Sequence, residues 1–113
     1  MMQKMIKMSE LKEGKAEAFV NMFVKDILTS KQTDKISFHY CRMEPKGKIA
    51  NDRHACIEVY YFLKGEGTAK SGSESFKVSP GTVVCVEAND LHSVRNTGKM
   101  DLEFLAILSP PYS

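Results

Sequence analysis

The stretch Asp52-Arg53-His54-Ala55-Cys56-Ile57-Glu58-Val59-Tyr60-Tyr61-Phe62-Leu63-Lys64-Gly65 decides how this chain is read. Its second half, Ile57 to Leu63, is rich in β-branched and aromatic residues and stops at Gly65-Glu66-Gly67, the pattern of a strand ending in a turn. Its first half carries a histidine between two carboxylates. About thirty residues on, Asn89-Asp90-Leu91-His92-Ser93-Val94-Arg95-Asn96 supplies another histidine in a β-rich setting. The chain has three histidines in all, so two of them in these segments is a concentration of metal-ligand chemistry. The two segments could place two imidazoles and one or two carboxylates around a single divalent ion.

Geometry sets a condition on that arrangement. Asp52 and His54 are two residues apart, so on a strand they share a face, with Cα atoms about 6.7 Å apart. That suits two ligands of one ion. His54 and Glu58 would lie about 13 Å apart on a straight strand, too far for both to reach one ion. The chain must therefore turn within Ala55-Cys56-Ile57 if both are to bind it.

Outward from these segments, turn signals recur at short intervals. Ile36 to Met43 alternates as a strand, and Glu44-Pro45-Lys46-Gly47 is read as its break. Thr68–Lys70 and Ser75–Val78 flank the hairpin signal Ser71-Gly72-Ser73. Ser79-Pro80-Gly81 precedes the apolar run Val83–Val86, Asn89-Asp90 turns the chain, Leu91–Arg95 extends, and Asn96-Thr97-Gly98 closes it. Leu102–Leu108 reads as the last strand before Pro110-Pro111. Closely spaced strands of this kind argue for an all-β antiparallel sandwich or barrel. The first third is ambiguous: Ala16, Phe19, Val20, Phe23 and Ile27 fit a helix face, while Ala18, Val20, Met22 and Val24 fit a strand.

With the strands and motifs placed, the sequence resembles the cupin superfamily of small double-stranded β-helix, or jelly-roll, barrels. The resemblance spans residues 36–108. Gly47 (displaced by one residue), His54, Glu58 and Gly65 follow the family's first motif, and Gly81, His92 and Asn96 follow its second. Three positions depart from the pattern. Asp52 stands where the first motif has a histidine, Glu87 replaces a proline and Asn89 replaces a glycine; asparagine tolerates the left-handed backbone such a turn needs. The resemblance implies a single-domain cupin barrel at 36–113, with 1–35 as an N-terminal helix or strand arm packed on it. It also implies the bend before Glu58, pairing of two chains through their sheets, and a metal held by His54, Glu58 and His92, with Asp52 as a fourth ligand. Replacing imidazole by carboxylate shifts such a site toward harder ions, so Fe(II) or Mn(II) is expected ahead of Zn or Ni.

The other polar residues have plainer readings. One alternating set around the third histidine is His39, Cys41 and Met43, the other Phe38, Tyr40 and Arg42. One set should face the interior, and an ordinary split between core and surface accounts for both. Asn96 reads as a turn residue. Cys41, Cys56 and Cys85 are odd in number and lack CxxC spacing, so buried thiols are expected rather than disulfides or a zinc cluster.

Composition limits the alternatives. At 113 residues the chain can bury one core without disulfide staples. A net charge of +2, with no basic stripe interleaved with aromatics, argues against nucleic acid as partner. No apolar run is long enough for a membrane span, and the Met- and Lys-rich N-terminus lacks the apolar centre of a signal peptide, so a cytoplasmic location is expected. The function expected is a metal-binding cupin acting on a small polar metabolite at the barrel mouth, by oxygenase-like or isomerase-like chemistry. The other candidate is a non-catalytic small-ligand binder or sensor that needs no metal.

Overall fold

The computed structural model describes residues 3–112. Nine strands follow a short 3-10 turn at Met8–Glu10: β1 Gly14–Lys15, β2 Val20–Leu28, β3 Ser37–Asp52, β4 Ile57–Lys64, β5 Gly67–Ser71, β6 Glu74–Val78, β7 Val83–Val86, β8 His92–Asn96 and β9 Leu102–Ser109. Every pairing is antiparallel. The sheet runs β6-β5-β8-β3-β9-β4-β7, and β2 pairs with both β1 and β3. The sheet curls into the jelly-roll barrel that the family resemblance implies.

β3 is the element that curls it. Its first half, Ser37 to Met43, pairs residue by residue with β9 and also with β2; its second half, from Lys48, pairs with β8. The expected break at Glu44–Gly47 is instead a corner within one continuous strand of 16 residues. Pro45 has no N–H to contribute, but no β8 or β9 partner faces it, so no ladder bond is lost there. Lys46 takes φ 68° at the corner. A Cβ on Gly47 would come within 2.4 Å of the Met43 side chain, so only glycine fits where the strand folds over itself.

The ambiguous first third resolves as a strand. Helical periodicity in Ala16–Ile27 loses to the unpaired edge of β3, which β2 covers. Alternation then turns Met22 and Val24 inward, and Phe23 outward beneath the Arg42 guanidinium, 4.5 Å from the ring centroid. Arg42 anchors the arm through two hydrogen bonds to Glu13 (2.8 and 3.1 Å) and also binds Asp101 at 3.1 Å and Glu44 at 3.3 Å.

The core lies between the two inward faces. β4 contributes Glu58, Tyr60 and Phe62, and β9 contributes Leu102, Phe104, Ala106 and Leu108. Phe62 and Phe104 are fully buried with ring centroids 5.1 Å apart. Burial of each side chain is worth about 1.5–3 kcal/mol. Cys41 and Cys56 are buried thiols as expected, but Cys85 is exposed, because it takes the outward position opposite Val59 on an edge strand.

Candidate metal centre and cavity

The bend required by the sequence is present. β3 ends at Asp52, β4 begins at Ile57, and the four residues between them turn the chain. The loop at 87–91 is fastened beside this turn, since the Asn89 amide donates to the His54 carbonyl at 2.8 Å. Asn89 has φ 67°, the left-handed conformation that the glycine of the motif would supply. β8 then leaves this loop with His92 paired to Asp52 across the ladder.

These connections bring Asp52, His54 and His92 together and set Glu58 against the two histidines. One ligand atom from each of Asp52, His54 and His92 lies within 4.8 Å of the others. Glu58 joins from β4: its Oε1 is 3.0 Å from His54 Nε2 and 3.3 Å from His92 Nε2. The His54 and His92 rings meet edge to face at 4.7 Å. Glu58 and His92 are buried, while Asp52 is partly exposed and accepts the Arg53 amide at 2.9 Å.

The proton positions decide what the cluster can do. His54 Nδ1 lies 3.1 Å from the Cys56 carbonyl, and His92 Nδ1 lies 3.1 Å from the Asp90 carbonyl. A carbonyl only accepts, so each Nδ1 carries the hydrogen. On a neutral ring each Nε2 is then a bare lone pair, and both face the same carboxylate oxygen. Three acceptors converging in a buried site repel unless a proton or a cation sits among them. Tying the second ring nitrogen to a backbone carbonyl is also how metal-binding histidines are oriented. Burial alone would push the His92 imidazole down, but the hydrogen bond to Glu58 and the Asp90 carbonyl outweigh it and raise it.

The neighbours support the same carboxylate. Tyr60 donates its hydroxyl to Glu58 Oε1 at 3.0 Å, and burial, then the Glu58 charge, holds that phenol well above its ordinary value. Burial and then Glu58 also push the Cys56 thiol up, so it stays protonated beside the cluster rather than offering a thiolate. Asn96 stands apart from the cluster and is a turn residue. It donates to the carbonyls of Met43 and Met100 at 2.9 and 2.8 Å and accepts the Gly98 amide at 2.9 Å.

A cavity of about 330 Å³ opens beside the cluster. Asp52, His54, Glu58 and Tyr60 form one wall, and Met22, Ile49, Phe104 and Leu108 are among the apolar residues lining the rest. Tyr112 lies over His54 with ring centroids 5.2 Å apart, its amide hydrogen-bonded to Ser37 Oγ at 3.0 Å. His39 and Asp26 also line the cavity, His39 Nδ1 lying 2.7 Å from Asp26 Oδ1. The sequence left the direction of the His39 set open; His39, Cys41 and Met43 take the buried, inward face of β3. No helix among the described residues is long and apolar enough to cross a membrane.

Comparison with known proteins agrees with this architecture. An oxalate-binding protein of Thermotoga maritima is 28% identical over 104 residues, which is 90% of this chain and 84% of that one. Auxin-binding protein 1 of Arabidopsis thaliana is 35% identical over 76 residues, 59% of this chain but 38% of that longer protein. Among solved structures, a predicted oxalate decarboxylase of Thermotoga maritima superposes with a TM-score of 0.82 at 22% identity, covering 94% of this chain and 98% of its own. The polyketide cyclase RemF of Streptomyces resistomycificus gives 0.83 at 14% identity, covering 96% and 80%. Residues 39–108 match the Cupin domain family, with its fold and both motif regions inside the match. The chain belongs to the cupin family.

Proposed function

We propose that this cupin binds one divalent transition metal through His54, Glu58 and His92, with Asp52 as a fourth ligand, and acts on a small polar metabolite at the barrel mouth. The observation that carries this reading is the convergence of two imidazole lone pairs on one buried carboxylate oxygen. The donor set fits a hard or borderline divalent ion, and Fe(II) or Mn(II) suits it better than Zn or Ni. When bound, such an ion supplies Lewis acidity at coordination positions left open to ligand. The protein's part is to hold the donors in place: carbonyls fix both imidazoles, and Tyr60 fixes Glu58. Apolar residues line much of the remaining cavity wall and would pack against the body of the ligand. Oxygenase-like chemistry is favoured slightly over isomerase-like chemistry because the set is two histidines and a carboxylate.

A second reading is a non-catalytic small-ligand binder. It is favoured by Asp52, which alters the donor set at the first motif position, and by relatives that are themselves called oxalate-binding and auxin-binding proteins. His92→Ala separates the two: it abolishes turnover in the enzyme but leaves ligand affinity largely intact in a metal-free binder. The same protein, purified and analysed for metal, tests the ion directly. One transition-metal ion per chain is the result expected, and none, with a melting temperature indifferent to chelator, is the result that refutes it.

Pairing of two chains is part of this proposal, with a cytoplasmic location. The outer face of β9-β4-β7 exposes Ile57, Tyr61, Val83 and Ile107, with Tyr61 directly opposite Val83. Such a continuous apolar face on an antiparallel sheet is suited to a second copy. Val83→Lys should convert a dimer into a monomer in sedimentation analysis, and an unshifted sedimentation coefficient would count against that face.

A further inference from the structure

The His39–Asp26 pair faces the cavity from outside the ion site. His39 pairs with Ala106, and Ala106 pairs with Tyr60, so one inward row reads His39, Ala106, Tyr60 across three strands. Two strand spacings separate its ends by about 10 Å at Cα. The methyl of Ala106 is the small member of that row, and all three residues line the cavity. The ion cluster and His39 thus stand on different parts of the wall, with apolar residues between them.

His39 has one nitrogen accounted for and one not. Asp26, its partner across the β2–β3 ladder, takes Nδ1 at 2.7 Å. The side chain is only 9% exposed, and Nε2 is buried with no hydrogen-bond partner among the described residues. A buried polar atom left unpaired is costly, and an apolar side chain would fill the same place at lower cost. Its placement on a cavity wall gives the nitrogen a use. Because a carboxylate accepts the Nδ1 hydrogen, Nε2 of the neutral ring is an acceptor and selects a donor. Engaging it takes a small movement of the ring or of a neighbouring wall side chain, of the kind common on binding.

We infer that His39, oriented by Asp26, accepts a hydrogen bond from a hydroxyl of the bound molecule. The ligand class is therefore a small molecule with an oxygen donor for the ion at one end, an apolar body and a hydroxyl at the far end, of which a phenolic carboxylate is the test case. This rests on the ion reading for the oxygen-donor end only. The hydroxyl end depends on His39 alone.

Matched pairs test it. In calorimetric titrations of the zinc-loaded protein, 4-hydroxyphenylacetate should bind at least about tenfold more tightly than 4-methoxyphenylacetate, since a site built to pair a hydroxyl rejects its capped analogue. His39→Phe should bring that ratio to about one while leaving zinc content and methoxy affinity unchanged, and Asp26→Asn should reduce it. The neutral pair 4-methylphenol and 4-methylanisole needs no ion, so it scores His39 even if zinc fails to bind. On the wild-type protein, the ¹⁵N resonance of His39 Nε2 should move on adding 4-methylphenol and stay on adding 4-methylanisole, a readout that requires no variant. Equal affinity within both pairs, a preference that survives His39→Phe, or an unmoved Nε2 resonance would overturn the inference.

Discussion

Strands β4 and β9 run the length of the barrel, and their two ends do different things. At one end Phe62 and Phe104 sit paired across the ladder, fully buried with their rings in contact, and Leu102 and Met43 close the space around them. At the other end the paired residues are Glu58 and Leu108, and the space above them holds two histidines and a cavity. The hydrogen-bonded scaffold is the same along both strands, so the difference comes from side chains four positions apart on each. Tyr60 is where one end passes into the other: its ring stacks edge-on against Phe104 at 5.5 Å while its hydroxyl reaches Glu58. The packed end supplies the stability, and the polar end gives up some of it to hold converging acceptors together.

The two ends should separate under mutation. Phe62→Ala empties the packed end and should cost about 3–5 kcal/mol in chemical denaturation, with little change in metal affinity if the folded fraction is corrected for. Asn96→Ala leaves the Met43 and Met100 carbonyls without their donor and should cost about 1–3 kcal/mol by the same measurement, again sparing the ion site. Glu58→Gln reverses the pattern. It should weaken metal binding at least about tenfold, near 1.4 kcal/mol, while the metal-free protein, at a pH above the raised His92 value, melts no lower than wild type, because the repulsion among acceptors is gone. If the metal-free Glu58→Gln protein were as destabilised as Phe62→Ala, the division between the ends would fail.

The smallest effect lies in the arm. The hydrogen bonds from Arg42 hold the Glu13 carboxyl below its ordinary value of 4.5. A depressed carboxylate stabilises the fold fully above its unfolded value and loses that contribution as pH falls through the lower folded value. The protection of the Ala16 and Phe19 amides, taken against the intrinsic exchange rate at each pH, should therefore fall at acid pH, and Arg42→Met should remove that pH dependence at a cost of about 0.2–1 kcal/mol. Protection that does not change with pH would show that the arm is held by packing alone.

Much of this division was legible in the sequence, and what was not depends on contacts between distant strands. Turn residues every few positions placed β4 to β9 nearly as they lie, because Gly65, Gly72 and Asn89 take the positive φ their neighbours require. Spacing between His54 and Glu58 makes a bend the condition for both to meet one ion, and the turn at 53–56 meets it. Pro45 was misleading, since proline breaks a strand only where a partner needs its N–H, and which residues have partners is set by β8 and β9. The period of residues 16–27 could not choose between helix and strand because the deciding contact is the open edge of β3. His39 carried no local signal either: the face it takes is set by the way the whole sheet curls, and its missing partner is visible only in three dimensions.

Elemental analysis of the protein purified without added metal, paired with melting curves before and after chelation, tests the central claim most directly. The account predicts about one transition-metal ion per chain, a lower melting temperature once it is removed, and loss of the ion in both His54→Ala and His92→Ala. A wild-type protein that carries no transition metal, takes up none when it is offered, and melts at the same temperature with and without chelator would contradict it.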